Sequence, residues 1–386
     1  MTQAVDILIV GGGPAGLAVA SRLPQGTDGL LIHQDREIGV PVRTSGGSWM
    51  RDVAKLGIPR RLAHPVNSAD IYSDKEHLLL DLSHDPVGIL DVTGTYQWLA
   101  EQSRIPIECG TKFLSARRSD GQFEVTIRRN GGDEVLTARR IVDATGWHCA
   151  VLASLGLVHP PERRGIGIEY EYPAPNHDPN RAALFFGAST PTGYGWAFPT
   201  TSRTLRLGVG VIHPVTDKSP KDIMAHLMES PALQRMSLPR PTDFHVNAGI
   251  LPSVSYDPKL VFDGVVRVGD SANMATPTLG EGIRICIERG WALGRALSDC
   301  NQGDLKAWER ATQRKLALQY RLGFLANTRA ASYSPDQWDR SVARMRRLPP
   351  EELIAFFRND FTTSMIARRG AQALTRRIAR LFQRAN

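Results

Sequence analysis

The chain has 386 residues, 42% of them hydrophobic, and a formal charge of +8; this predicts a globular protein of roughly two to three domains. Residues 361 to 386 hold six arginines and no acid, so the basicity belongs to the tail. That argues against a nucleic-acid partner, which needs a basic folded face.

Cys109, Cys149, Cys286 and Cys300 show no short paired spacing, so neither a zinc site nor a disulfide framework is indicated. A reduced, cytoplasmic setting is expected.

The run from Val5 to Ala20 is almost all apolar or glycine, but it is interrupted by Asp6 and falls short of the ~18 apolar residues that span a bilayer. No Lys or Arg precedes it, as a secretory signal would require. Asp6-Ile7-Leu8-Ile9-Val10 reads instead as a buried strand and Gly11 to Gly13 as a tight turn, with Pro14 in the first turn of a helix. Gly11, Gly13 and Gly16 then occupy the G-x-G-x-x-G positions, with Pro14 and Ala15 between them. The first glycine permits the turn, the second lets backbone approach a pyrophosphate, and the third lets helix pack on strand. A dinucleotide site is predicted.

Gly29-Leu30-Leu31-Ile32 follows as the second parallel strand. Its end, where such sites place an acid for ribose hydroxyls, reads His33-Gln34-Asp35, and any of the three fits that role. Phe123, Val125 and Ile127 alternate with polar residues, Asn130-Gly131-Gly132 forms a hairpin turn, and Ile141-Val142 leads into Asp143-Ala144-Thr145-Gly146. Small residues after that strand suit a second approach of main chain to the cofactor, with Asp143 and Gly146 as contacts.

From about 153 to 250 the pattern alternates with period two, as in Gly165 to Tyr170, and predicts an antiparallel sheet. Val265 to Asp270 returns to strand, Gly280 to Leu297 reads as a long helix, and 303 to 386 is helical with breaks at Ser334-Pro335 and Pro349-Pro350.

The stretch GDSANMATPTLGEGIRICIERG, residues 269 to 290, places a carboxylate at a strand end ahead of a proline-shaped loop and a glycine-rich helix start. Such a segment offers one acceptor for a sugar or ribityl hydroxyl and free N–H groups for an anion or ring carbonyl. Gly269, Asp270, Pro277, Gly280, Glu281, Gly282 and Ile283 are the candidate contacts.

Together with the N-terminal glycines, this segment resembles the flavoprotein group of aromatic hydroxylases, flavin halogenases and geranylgeranyl reductases. EIGVPVRTSGG at 37–47 and GYGWAFPT at 193–200 are more narrowly similar to the geranylgeranyl reductase family. The resemblance spans roughly residues 5 to 300 and implies FAD as cofactor. By that resemblance the first stretch passes the isoalloxazine ring and the second lines the substrate cavity, giving candidate roles to Arg43, Thr44, Ser45, Gly46, Tyr194, Trp196 and Phe198. Trp196 and Phe198, two apart on a strand, share a face and fit a core equally well.

The chain departs from the archaeal members, which carry Cys-Gly-Glu where it has Thr44-Ser45-Gly46-Gly47, and a lysine where it has Thr200. Neither Lys55 nor Lys75 sits in a halogenase-like motif. No G-x-S-x-G, H-E-x-x-H or P-loop lysine points to another class.

The fold expected is α/β. A Rossmann-like three-layer FAD-binding domain is assembled from 1–60, 103–152 and 255–300. An antiparallel β-sheet substrate domain comes from 61–102 and 153–254, and a helical region from 301–386. The expected activity is reduction of a carbon–carbon double bond in a prenyl-type or related hydrophobic substrate, with NAD(P)H or another reductant as electron donor. The alternative is FAD-dependent monooxygenation of an aromatic or biosynthetic intermediate. Ser45, Tyr194, Trp196, His148 and Glu169 are the candidate catalytic residues, although a lone His148 near a strand end fits a structural role as well. In the tail, Leu374, Ile378, Leu381 and Phe382 oppose Arg376, Arg380 and Arg384. Such a helix suits either docking on the protein's own core or peripheral contact with an anionic membrane.

Overall fold

A computed structural model describes residues 3–236, 238, 241–297 and 302–367. The opening apolar run forms the strand Gln3–Val10, which sits inside a seven-stranded sheet between Gly29–Ile32 and Gly132–Asp143 and runs parallel to both. Its second half, Ile7 to Val10, is apolar throughout because both of its faces are covered. Ile7 and Ile9 pack on one side, and Val5, Leu8 and Val10 on the other. Each such buried side chain contributes ~1.5–3 kcal/mol.

The first face is covered by the helix Pro14–Ala20 and by Ile283–Ala296, which crosses it. On the opposite side, a meander of Lys112–Ser119, Gln122–Arg129 and Gly132–Asp143 contributes Phe123, Val125 and Ile127 to the second core. The turn of its second hairpin takes positive φ at Asn130 and Gly131, as that two-residue turn requires.

Register decides where the chain can bind anything. Val10 stands level with Ile32 and with Asp143, and Asp143 with Arg267 of the strand Val265–Arg267. The segments that follow, at Gly11, His33, Ala144 and Gly269, therefore leave the sheet at one edge, the carboxyl end of its parallel strands.

A second seven-stranded sheet runs in the order His245–Pro252, Arg164–Pro173, Thr204–His213, Tyr194–Pro199, Arg181–Phe185, Ser68–Tyr72, His77–Asp81. One face packs on the helix Pro220–Met228. The other carries Leu184, Phe186 and Trp196 against Trp338, Leu353 and Phe357 from the helices Pro335–Met345 and Pro350–Phe357. The break at Ser334-Pro335 is a helix start, because Ser334 caps it and Gln337 answers in a capping box.

Four expectations are revised. The second sheet is mixed, since Arg181–Phe185 pairs in parallel with Ser68–Tyr72 across a long connection. The segment 61–102 is divided: Ser68–Tyr72 and His77–Asp81 join that sheet, whereas Val92–Glu101 packs by Val92 and Leu99 into the core on the first face of the first sheet. Gly47–Trp49, Val87–Leu90 and Ala63–Val66 form a small third sheet that crosses the expected boundary at residue 60. Finally, the helix expected from Gly280 begins at Ile283, because Gly280 has φ +75° and the preceding loop is closed by two backbone bonds between Thr276 and the segment 280–281.

No described helix is long and apolar enough to cross a membrane. The basic helix expected over 374–384 lies outside the described residues, as does Cys300.

Candidate active site

A cavity of about 1570 Å³ opens at the carboxyl edge of the first sheet and continues between the second sheet and the C-terminal helices. At its polar end the three glycines divide the work. A Cβ on Gly11 would stand 2.2 Å from the Ala144 carbonyl, and one on Gly16 would stand 2.0 Å from the Gly11 carbonyl; both hold backbone against backbone. A Cβ on Gly13 would meet nothing within 4 Å, because that position faces the cavity. Pro14 and Ala15 line the cavity beside it; Gly16 does not.

His33, Gln34 and Asp35 all reach the lining. His33 Nδ1 accepts from the Gly12 amide at 3.2 Å, and burial lowers its pKa, which favours the neutral ring. Asp35 is held by the Arg43 fork at 2.7 and 3.1 Å. Exposed Gln34 makes no side-chain bond among the described residues, so its amide is available to a ligand. Thr44 and Ser45 line the same wall, and the Ser45 carbonyl accepts from Arg206 at 3.0 Å. Gly46 lies behind it, packed on the Leu90 carbonyl.

Asp270 lines the cavity, its carboxylate without a hydrogen bond or ion pair among the described residues, and burial pushes its pKa up to about 6. A carboxylate so placed wants a hydroxyl donor. Pro277, Gly280, Gly282 and Ile283 complete this wall.

Four candidate contacts turn elsewhere. Asp143 is fully buried and accepts from Thr145 N, Thr145 Oγ1 and Leu152 N at 3.1, 2.6 and 3.0 Å; it ties the strand end to the following turn, while Gly146 faces the cavity. Gly269 packs against Ala15. Glu281 points away from the cavity, to Arg284 at 3.0 and 2.9 Å and to Ser48 at 3.1 Å. Phe198 sits off the lining, against Val66, Ile89 and Ala182.

The far chamber is aromatic and apolar. Trp196 lines it, and its Nε1 donates to Glu169 Oε2 at 2.7 Å. Asn247 donates to Glu169 Oε1 at 3.2 Å, and Arg206 lies 3.8 Å away. Burial raises the pKa of Glu169, against the pull of Arg206 and its two donors. The Tyr194 hydroxyl donates to the Leu279 carbonyl at 2.6 Å, joining the second sheet to the loop after Asp270. His148 lies at the rim, exposed and stacked on Trp147 at 3.9 Å, with its pKa lowered by burial and by Arg164.

Sequence reasoning missed Tyr96, Asn247 and the aromatic cover of Phe186, Trp338, Phe356 and Phe357. Asn247 was not legible, because in His245–Pro252 the apolar Val246 and Ile250 are the exposed side chains, whereas alternation would turn them inward and Asn247 out. Trp338, Phe356 and Phe357 fell in a stretch read only as helical, because a helix that buries one face in a cavity has the same periodicity as one that buries it in protein, and Phe186 fell in the stretch read as sheet.

Residues 165–238 match the family model of the geranylgeranyl reductase catalytic domain. The chain is 28% identical over 337 residues to a digeranylgeranylglycerophospholipid reductase of Methanothermobacter thermautotrophicus, covering 80% of each chain. Its fold is that of a geranylgeranyl bacteriochlorophyll reductase-like protein from Thermoplasma acidophilum, with TM-score 0.78, 21% identity, and coverage of 89% of this chain and 91% of the other. A Klebsiella pneumoniae HpxO variant complexed with FAD shares the architecture at TM-score 0.68 and 16% identity, covering 92% and 98%. The resemblance to geranylgeranyl reductases read from the motifs thus extends well beyond them, along most of the chain.

Proposed function

We propose that this protein is an FAD-dependent oxidoreductase that reduces a carbon–carbon double bond in a prenyl-type or related hydrophobic substrate. The observation that carries the reading is one continuous cavity, with a glycine cradle and an unpartnered Asp270 at one end and an aromatic chamber holding buried Glu169 at the other. The polar end fits the flavin: Gly13 leaves room for a pyrophosphate, and Asp270 offers an acceptor for a hydroxyl of the sugar or ribityl chain. Reduced FAD in that end would supply the hydride equivalent.

The chain's own residues supply the rest. Alkene reduction adds hydride to one carbon and a proton to the other. Glu169, whose raised pKa helps it to keep its proton, is the donor we assign. Trp196 fixes one of its oxygens and Asn247 flanks the other. Phe186, Trp338 and Phe356 exclude water from the chamber and give an isoprenoid-like chain apolar surface to lie on. The two electrons consumed are restored by NAD(P)H or another reductant. A cytoplasmic enzyme whose basic tail rests on an anionic membrane would meet such substrates where they concentrate; the sequence of residues 361–386 supports that part of the proposal.

The test is to reduce the holoenzyme anaerobically, add a series of prenyl alcohols and prenyl diphosphates, and measure product mass. Gain of two hydrogen atoms without oxygen is the expected result. Product that forms only in air and carries an added oxygen atom would overturn it in favour of monooxygenation.

A further inference from the structure

Beneath the cavity floor lie four charged side chains, each 9% exposed or less: Asp52, Glu281, Arg284 and Arg358. Two acids and two bases make the set neutral. Arg358 donates to Asp52 at 2.5 Å, Arg284 lies 3.4 Å from the same carboxylate oxygen, and Arg284 grips Glu281 with both arms of its fork. Ser48 closes on the other side of Glu281, and Arg358 rests 5.3 Å above the Trp49 ring.

The set reaches three walls of the cavity without touching its contents. Glu281 stands between Gly280 and Gly282, which face the cavity, and its own amide donates to Thr276 Oγ1 at 3.0 Å. Ser48, Trp49 and Asp52 follow closely on Thr44 and Ser45. Arg358 follows directly on Phe356 and Phe357 of the aromatic cover. A carboxylate anchored behind a loop fixes where that loop's amides point in front, and placing such amides demands sub-ångström control.

We propose that Asp52 and Arg358 are positioning residues for the flavin. They hold Arg284, Arg284 holds Glu281, and Glu281 holds the Thr276–Gly282 loop in the shape that meets the cofactor. This rests on the reading of the polar end as an FAD site. The structural alternative is that the four charges only stabilise the fold.

Removing one charge of a buried pair strands the other, so Arg358→Leu alone confounds folding with binding. The informative variant is the double substitution Asp52→Leu/Arg358→Leu, which keeps the set neutral and leaves Arg284 paired with Glu281. Apo-protein is titrated with FAD by fluorescence quenching, and its melting midpoint is measured without FAD. The expected result is a midpoint close to wild type with FAD affinity weakened about tenfold, the scale seen when a supporting partner of a metal ligand is removed. Affinity within about twofold of wild type, at whatever midpoint, overturns the proposal. Should the double variant fail to fold, Arg358→Lys decides, because it keeps the charge but loses the terminal nitrogen that reaches Asp52. Severalfold weaker FAD binding supports the role, and unchanged binding refutes it. A wild-type protein that takes up no FAD overturns the reading of the cavity itself, an outcome separate from a variant that binds as wild type does.

Discussion

Replacing Asp270 by asparagine should move stability and flavin affinity in opposite directions. In the apo-protein burial lifts this carboxyl from 3.8 to about 6, which corresponds to at most ~3 kcal/mol set against folding once the group ionises. The sign follows from linkage. A folded-state pKa above the unfolded one means no penalty below pH 3.8, a rising penalty up to about pH 6, and a constant one above. An asparagine side chain carries no charge, so the D270N apo-protein should melt higher than wild type at pH 8, with the gap closing toward pH 4. Water in the open cavity will hold the gain below its ceiling. Flavin binding should respond the other way, because a ligand hydroxyl donating to an ionised carboxylate contributes ~1–2 kcal/mol more than one donating to an amide oxygen. That predicts about 5- to 30-fold weaker FAD binding by D270N at pH 8. Wild-type affinity should fall as the pH drops through 6 while that of D270N stays level. Fluorescence titration of apo-protein from pH 5 to 8, paired with melting curves, measures both. A variant with wild-type FAD affinity and a wild-type pH profile would refute the reasoning.

Gly13→Leu should leave the melting temperature of the apo-protein nearly unchanged, since a Cβ there meets no protein atom, yet the purified protein should come off the column without flavin. A full FAD complement in that variant would sink the cradle assignment. Glu169→Gln should lower turnover about 10²- to 10⁴-fold, the usual contribution of a positioned proton donor. It should also erase the loss of rate that wild type shows as pH rises through the raised Glu169 pKa. Should the limb persist in the glutamine variant, the proton comes from elsewhere.

Local pattern carried the reading wherever the relevant contacts are close along the chain. The strand-turn-helix at residues 3–20 and the hairpin at 122–143 follow from apolar runs bounded by glycine, and the structure places both where those runs predict. Of the three G-x-G-x-x-G positions, Gly11 and Gly16 hold the close backbone approaches, and Gly13 opens on free space. Reading failed where a pattern leaves the direction of a side chain open, and where its partner is remote. Asp143 and Glu281 both sit in glycine-rich segments at the cavity edge, and the residue type cannot tell whether the carboxylate points to a ligand or backward into protein. Asp143 is taken up by Thr145 two residues on and by Leu152, and Glu281 by Arg284 three residues on and by Ser48, and no motif says that these rather than a ligand receive the carboxylate. The Asp52–Arg358 pair lies 306 positions apart. The pairing of Ser68–Tyr72 with Arg181–Phe185 is likewise a matter of topology, and so the segment 61–102 was assigned to one domain although the structure divides it.

The order of strands in the first sheet also sets a clock on biosynthesis. Gln3–Val10 leaves the ribosome well before Val265–Arg267, which completes the edge that the cavity opens on, and Asp270 follows that strand. At ~5–20 residues per second those roughly 250 intervening residues take on the order of tens of seconds to synthesise. Through that interval the glycine turn at Gly11–Gly13 exists without its opposite wall. Until then the proposed dinucleotide site lacks one of its walls. If the cavity holds FAD as proposed, its capture is a late event in the life of each molecule, and a chain cut short before residue 265 would lack one wall of that site.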